Sequence, residues 1–180
     1  MTKQELRQQV AQQVRRLNDA QRDTQSLYAC LQILGTAEWQ QSQTVLLYAA
    51  LPDEVSLQLL IDDAMGSGKC VILPVVKGDT LELRVYDPQH CEVKGKYQIL
   101  EPTDQCPLLS DLSDIDLAII PGRAFTRRGH RLGRGKGYYD RLLTDPALHC
   151  PLWGVGFTCQ LVRFIPVDEW DVKLNKVIVS

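Results

Sequence analysis

The stretch Gly129–Arg141, G-H-R-L-G-R-G-K-G-Y-Y-D-R, concentrates residue types suited to holding an anion. Gly133, Gly135 and Gly137 alternate, so backbone N–H groups can turn toward one anion without obstruction by side chains. Arg134 and Lys136 stand between them, and a helix starting at Tyr138 would present its positive N-terminal end to the same point. Residues 123–141 hold seven Lys or Arg (Arg123, Arg127, Arg128, Arg131, Arg134, Lys136, Arg141) against one acid, Asp140. The whole chain has 20 basic residues and a net charge of −2, so this basic character is local. Nothing global argues for a nucleic-acid or membrane partner.

The two common phosphate-loop patterns do not fit. G-x-x-x-x-G-K-[ST] needs a glycine where His130 stands and a hydroxyl where Gly137 stands. G-x-G-x-x-G fits Gly133 and Gly135 but requires glycine at Tyr138. A second decoy, G-S-G-K at 66–69, reads as a helix C-cap and turn. By itself the Gly/Arg segment leaves three readings open. It is a phosphate cradle, a solvated mobile loop, or, with Phe125, Tyr138 and Tyr139, a platform for single-stranded RNA.

The elements around it favour the first. Leu6, Val10, Val14 and Leu17 recur at helical spacing and predict an amphipathic helix over 3–17. Asn18 or Asp19 caps a second helix, with Leu27, Leu31 and Leu34 on its inward face and Gly35 as its stop. TVLLYAAL (44–51), CVILPVV (70–76), IDLAIIP (115–121), LWGVGF (152–157) and KVIVS (176–180) read as buried strands. TLELRVY (80–86) alternates and reads as an antiparallel edge strand. Asp53 is placed to cap a helix through Leu57, Leu60, Ile61 and Ala64, and a further helix runs from Tyr138 to about Leu148. The fold class is therefore α/β: one domain over 1–180, a Rossmann-like three-layer sandwich with a mostly parallel sheet and helices on both faces. Ligands of such sheets bind beyond the carboxyl ends of the strands, which is where the glycine-rich segment falls.

Length and composition agree with a globular protein large enough to bury a core. No apolar run approaches the roughly 18 residues that span a bilayer. The N-terminal segment lacks the features of a signal or transit peptide. Six cysteines show no C-x-x-C spacing and no clustering with the three histidines, so neither a zinc site nor a disulfide framework is expected. The expectation is a reduced, cytoplasmic protein, a monomer or at most a weak dimer.

PGRAFTRRGHRLGRGKGYYDRLL (121–143) resembles the signature of the 5-formyltetrahydrofolate cyclo-ligase (methenyltetrahydrofolate synthetase) family. K-Q-E-L-R (3–7), P-D-E-V (52–55), L-E-P (100–102) and I-P-V-D-E-W-D-V (165–172) resemble further elements of that family, in order along the chain. The resemblance implies an enzyme that uses ATP and Mg²⁺ to convert 5-formyltetrahydrofolate to 5,10-methenyltetrahydrofolate, releasing ADP and phosphate. It implies an ATP-binding loop of Arg131, Leu132, Gly133, Arg134, Gly135, Lys136, Gly137, Tyr138 and Tyr139, with Lys3 and Arg7 as further phosphate contacts. Arg134 and Lys136 become the candidate catalytic cations, Glu54 and Tyr138 folate contacts, and Asp140 and Asp171 Mg²⁺ ligands.

Three positions depart from the family pattern. Thr126 replaces a common Asp, Arg123 occupies a site that is often apolar, and Asn175 replaces an acid. None removes the glycine loop, Asp140 or Asp171. A non-catalytic folate- or nucleotide-binding module on the same fold is the alternative: it would bind both ligands without releasing ADP.

Overall fold

The structure is a computed structural model that describes residues 1–94 and 99–180. Its helices are α1 (Lys3–Arg15), α2 (Asp19–Leu34), α3 (Ala37–Gln41), α4 (Gln58–Gly66) and α5 (Tyr138–Leu143). The first three strands are β1 (Thr44–Leu46), β2 (Cys70–Lys77) and β3 (Thr80–Val85). β4 (Cys91–Lys94) and β5 (Ile99–Pro102) follow, then β6 (Leu117–Ile120), β7 (Ala124–Phe125) and β8 (Arg131–Leu132). β9 (Leu152–Gly156) and β10 (Lys176–Val179) end the chain. Six strands form the main sheet in the order β10-β9-β6-β1-β2-β3, and β4-β5 and β7-β8 are separate two-stranded pairs. All neighbours in the main sheet are parallel except β3, which runs antiparallel to β2 at the edge, as its alternating pattern predicts.

Successive strand residues face opposite sides, so each strand feeds two cores. Val45 and Leu47 join α1, α2, α3 and α4 on one face, whereas Leu46 joins Leu143 of α5, Phe125 and Leu174 on the other. Burying Leu6, Val10 and Val14 anchors α1 to the first face, each side chain contributing about 1.5–3 kcal/mol. The three expected layers are present but unequal. The second face is covered by one short helix, the β7-β8 hairpin and irregular segments.

Several expectations need correction. α2 buries Ser26, Ala29, Cys30 and Ile33, while Leu27 and Leu31 are about half exposed. Small side chains on that stripe let α2 approach the 52–57 segment, where Ser26 Oγ accepts from the Ser56 amide at 3.1 Å. Asp53 caps no helix: α4 begins at Gln58, and Asp53 lies in the preceding turn. α5 ends at Leu143 rather than near Leu148, where Asp145-Pro146 disfavours continuation. β1 is also shorter than the 44–51 run predicts. The G-S-G-K reading holds: Gly68 has φ 76 and closes the turn after α4.

The Gly/Arg segment divides in two. Its first part is the β7-β8 hairpin, closed by hydrogen bonds from Thr126 N to His130 O and from Gly129 N to Thr126 O. Gly129 has φ 89, and an added Cβ would stand 2.2 Å from the Leu174 carbonyl oxygen. Gly129→Ala therefore combines a left-handed backbone with a backbone collision, for an expected loss of about 2–4 kcal/mol. Urea denaturation checks this; a loss under about 1 kcal/mol refutes the packing argument.

Candidate active site

The chain leaves β1 toward β2 on one side and later returns through β6 on the other. Strand order reverses there, which opens a crevice at the carboxyl ends of β1 and β6. The turn after β1 carries Asp53 and Glu54, and Pro121, Gly122 and Arg123 follow β6. A cavity of about 360 Å³ occupies this crevice, within the ordinary size range of small-molecule pockets. Leu51, Pro74, Val76, Leu81 and Ile99 give it an apolar wall. Opposite stand Glu54, Arg131, Gly133, Arg134, Lys136, Gly137, Tyr138, Tyr139 and Asp140. Leu132 points elsewhere: it is 2% exposed and packs in the core.

The cations of the loop differ in what they already hold. Arg131, with a side chain 4% exposed, pairs with Asp140 and donates to the Pro121 carbonyl at 3.2 Å. Arg134 donates from Nη2 to Asp53 Oδ1 at 2.5 Å, and from Nε and Nη2 to Glu54 Oε1 at 3.0 and 2.8 Å. Burial opposes the charge on Arg134, but these carboxylates hold its pKa above the ordinary value. Arg141 reaches the Asp79 carbonyl. Lys136 is different. It has no carboxylate or carbonyl partner among the described residues, and its Nζ lies 5.9 Å from the centre of the Tyr138 ring.

α1 closes one side of the loop. Arg7 Nε donates to the Gly133 carbonyl at 2.8 Å, and its guanidinium lies 3.6 Å from where a Cβ on Gly135 would stand. Lys3, one turn earlier, pairs with Asp168 at 2.6 Å and Asp171 at 2.7 Å. Arg7 thus flanks the glycine loop, while Lys3 and Asp171 pair with each other away from the cavity wall. Tyr138 lines the cavity and donates its hydroxyl to the Gly78 carbonyl at 3.2 Å. Tyr139 is tucked under Arg131, 5.8 Å from ring centre to guanidinium carbon, and burial pushes its hydroxyl pKa up.

The sequence did not single out Asp53 as a site residue, because its position before an apolar run looks like a helix cap. The structure sets it between two arginines, with Arg123 Nη1 donating to Oδ2 at 2.5 Å. The other two departures also have partners. Thr126 Oγ1 accepts from His130 N at 3.1 Å, and Asn175 Oδ1 accepts from Leu152 N at 2.7 Å. Burial pushes the Asp53 pKa up, but Arg134 and Arg123 outweigh it and leave the value below 3.8. A depressed carboxylate pKa stabilises above the unfolded value and loses that effect as pH falls through the folded value. The stability difference between the wild type and Asp53→Asn should therefore be constant near neutrality and shrink as pH drops below 3.8. Denaturation midpoints measured across pH 2–6 check this, and a difference independent of pH would refute it.

The order of strands and the cavity at the switch point define a class: an α/β domain with a small-molecule site beyond its central strands. The sequence profile of the 5-formyltetrahydrofolate cyclo-ligase family matches residues 1–180. The chain is 33% identical over 175 residues to the 5-formyltetrahydrofolate cyclo-ligase of Escherichia coli K12, covering 94% of this chain and 95% of that protein. A probable 5-formyltetrahydrofolate cyclo-ligase from Schizosaccharomyces pombe is 34% identical over 171 residues, covering 87% and 84%. The solution structure of Aquifex aeolicus 5,10-methenyltetrahydrofolate synthetase superposes with a TM-score of 0.85 and 31% identity, covering 99% of this chain and 90% of that one. The chain belongs to the 5-formyltetrahydrofolate cyclo-ligase family.

Proposed function

We propose that the protein converts 5-formyltetrahydrofolate to 5,10-methenyltetrahydrofolate at the expense of ATP. The formyl oxygen attacks the γ-phosphorus and ADP leaves. N10 then adds to the activated formyl carbon, the N10 proton is lost, and inorganic phosphate departs to leave the methenyl cation. A formamide oxygen is a poor leaving group, and phosphorylation turns it into a good one. The remaining work is to position reactants and stabilise charge. One observation carries the reading: in a chain of this family, Lys136 reaches a cavity with one apolar wall while unpaired among the described residues.

In this reading the apolar wall of Leu51, Pro74, Val76, Leu81 and Ile99 receives the pterin and keeps water away. Glu54 accepts hydrogen bonds from the pterin amino and N–H groups through lone pairs that Arg134 and the Leu51 amide leave open. Amides of the glycine loop, with Arg7 and Lys3 beside it, hold the nucleotide phosphates. Lys136 and Arg134 stabilise charge on the transferring group.

Among the described residues no three His, Cys, Asp or Glu stand together as a metal cage. Asp140 is paired with Arg131 and Asp171 with Lys3, so an ion held by one or two of these carboxylates, with the rest of its shell from water and phosphate, would share them with those cations. Such an ion, when bound, neutralises phosphate charge.

Incubation with 5-formyltetrahydrofolate, ATP and Mg²⁺ should produce the methenyl chromophore and ADP in equal amounts. Binding of both ligands without ADP release would instead mark a non-catalytic module.

A further inference from the structure

Arg134 and Glu54 line the cavity, but the two residues that hold them in place do not. Asp53 sits behind Arg134. It accepts from Arg134 through Oδ1 and from Arg123 through Oδ2, both at 2.5 Å. Arg123 is itself fixed at the base of the β7-β8 hairpin. Its amide donates to the Leu132 carbonyl at 2.6 Å, and its carbonyl accepts from Gln160 Nε2 at 3.1 Å. Its side chain is 14% exposed, so the guanidinium has little freedom to turn to water. A continuous run of bonds therefore leads from the base of the β7-β8 hairpin through Arg123, Asp53 and Arg134 to Glu54.

We propose that Arg123 and Asp53 form a positioning clamp that sets Arg134 and Glu54 at the cavity, and that turnover depends on it. The clamp rests on the activity proposed above, but its geometry does not. A mobile turn and a long arginine would each lose freedom on meeting the substrate, and the clamp removes that freedom beforehand. Two guanidinium groups share one carboxylate, so the attraction of each to Asp53 offsets the repulsion between them. Asp53 and Arg123 act through Arg134 and touch neither substrate. They are positioning residues.

Asp53→Asn and Arg123→Met test it with two readouts. The first is solvent exchange of the Arg134 Nε–H, followed by ¹⁵N NMR and assigned by its absence in Arg134→Lys. This proton is held by Glu54 in the wild type and should exchange at least about tenfold faster in both variants. The second is kinetics: kcat should fall by about 10- to 100-fold, while KM for ATP changes by less than about threefold. Unchanged Arg134 exchange in both variants overturns the clamp, whatever the rates do. Faster exchange with wild-type kcat overturns its catalytic importance. An inactive wild type would instead defeat the proposed activity, and the exchange measurement would still decide whether the clamp exists.

Discussion

Replacing Lys136 by alanine is expected to leave the fold intact and to lower kcat by roughly 10²- to 10³-fold. The reason is an inventory of charge at the cavity. Arg131 is neutralised by Asp140, and Arg134 by Asp53 and Glu54. Lys136 is the cavity-lining cation without a carboxylate among the described residues, so an incoming phosphate meets its full field. Truncating it removes an interaction that grows as charge develops on the transferring group, and therefore affects kcat more than KM. The residue is exposed and its Nζ holds no hydrogen bond among the described residues, so the unfolding midpoint should hardly move. Lys136→Arg keeps the charge on a different frame and should recover part of the rate. Single-turnover measurement of phosphoryl transfer checks the assignment. A wild-type rate in Lys136→Ala would remove the residue from the reaction.

The second large effect concerns stability. Asp140→Ala strands the Arg131 guanidinium, whose side chain is 4% exposed, with the Pro121 carbonyl as its remaining acceptor. Removing one partner of a buried pair commonly costs about 3–5 kcal/mol. Asp140 is itself 38% exposed, so the lower end, about 3 kcal/mol, is expected. The double replacement Arg131→Met/Asp140→Leu removes both charges and should recover most of that loss, because desolvation of the cation disappears with it. It should not recover turnover, since both side chains line the cavity. Urea denaturation with activity assays separates these outcomes. A double variant as unstable as Asp140→Ala would show that the pair contributes shape rather than charge balance.

The alternating glycines, Lys136 and Asp140 stand out in the sequence by type and spacing, and the structure sets Lys136 and Asp140 on the cavity wall. Asp53 shows what local pattern leaves open: a carboxylate before an apolar run looks the same whether it caps a helix or faces an arginine 70 residues away. Hydrogen bonds from Ser56 N to Ser26 and from Tyr48 Oη to Val55 hold residues 52–57 out of the helix. Nothing in the local sequence reports those partners. The leucines of α2 misled for a related reason. Periodicity finds an apolar stripe, but the face that packed was the one whose small residues allowed close approach.

The sequence by itself determined the six strands of the main sheet, their parallel run with one antiparallel edge, and the setting of glycines between cations at residues 133–137. Each of these follows from local patterning: continuous apolar runs, alternation, and glycines between cations. The tertiary structure decided how the basic residues are shared out. It placed Arg127 and Arg128 on a hairpin tip outside the cavity, bound Arg131 and Arg134 to carboxylates from other elements, and left Lys136 facing the cavity. Charge is fixed by residue type, but its availability depends on distance to partners far along the chain, and only folding sets those distances.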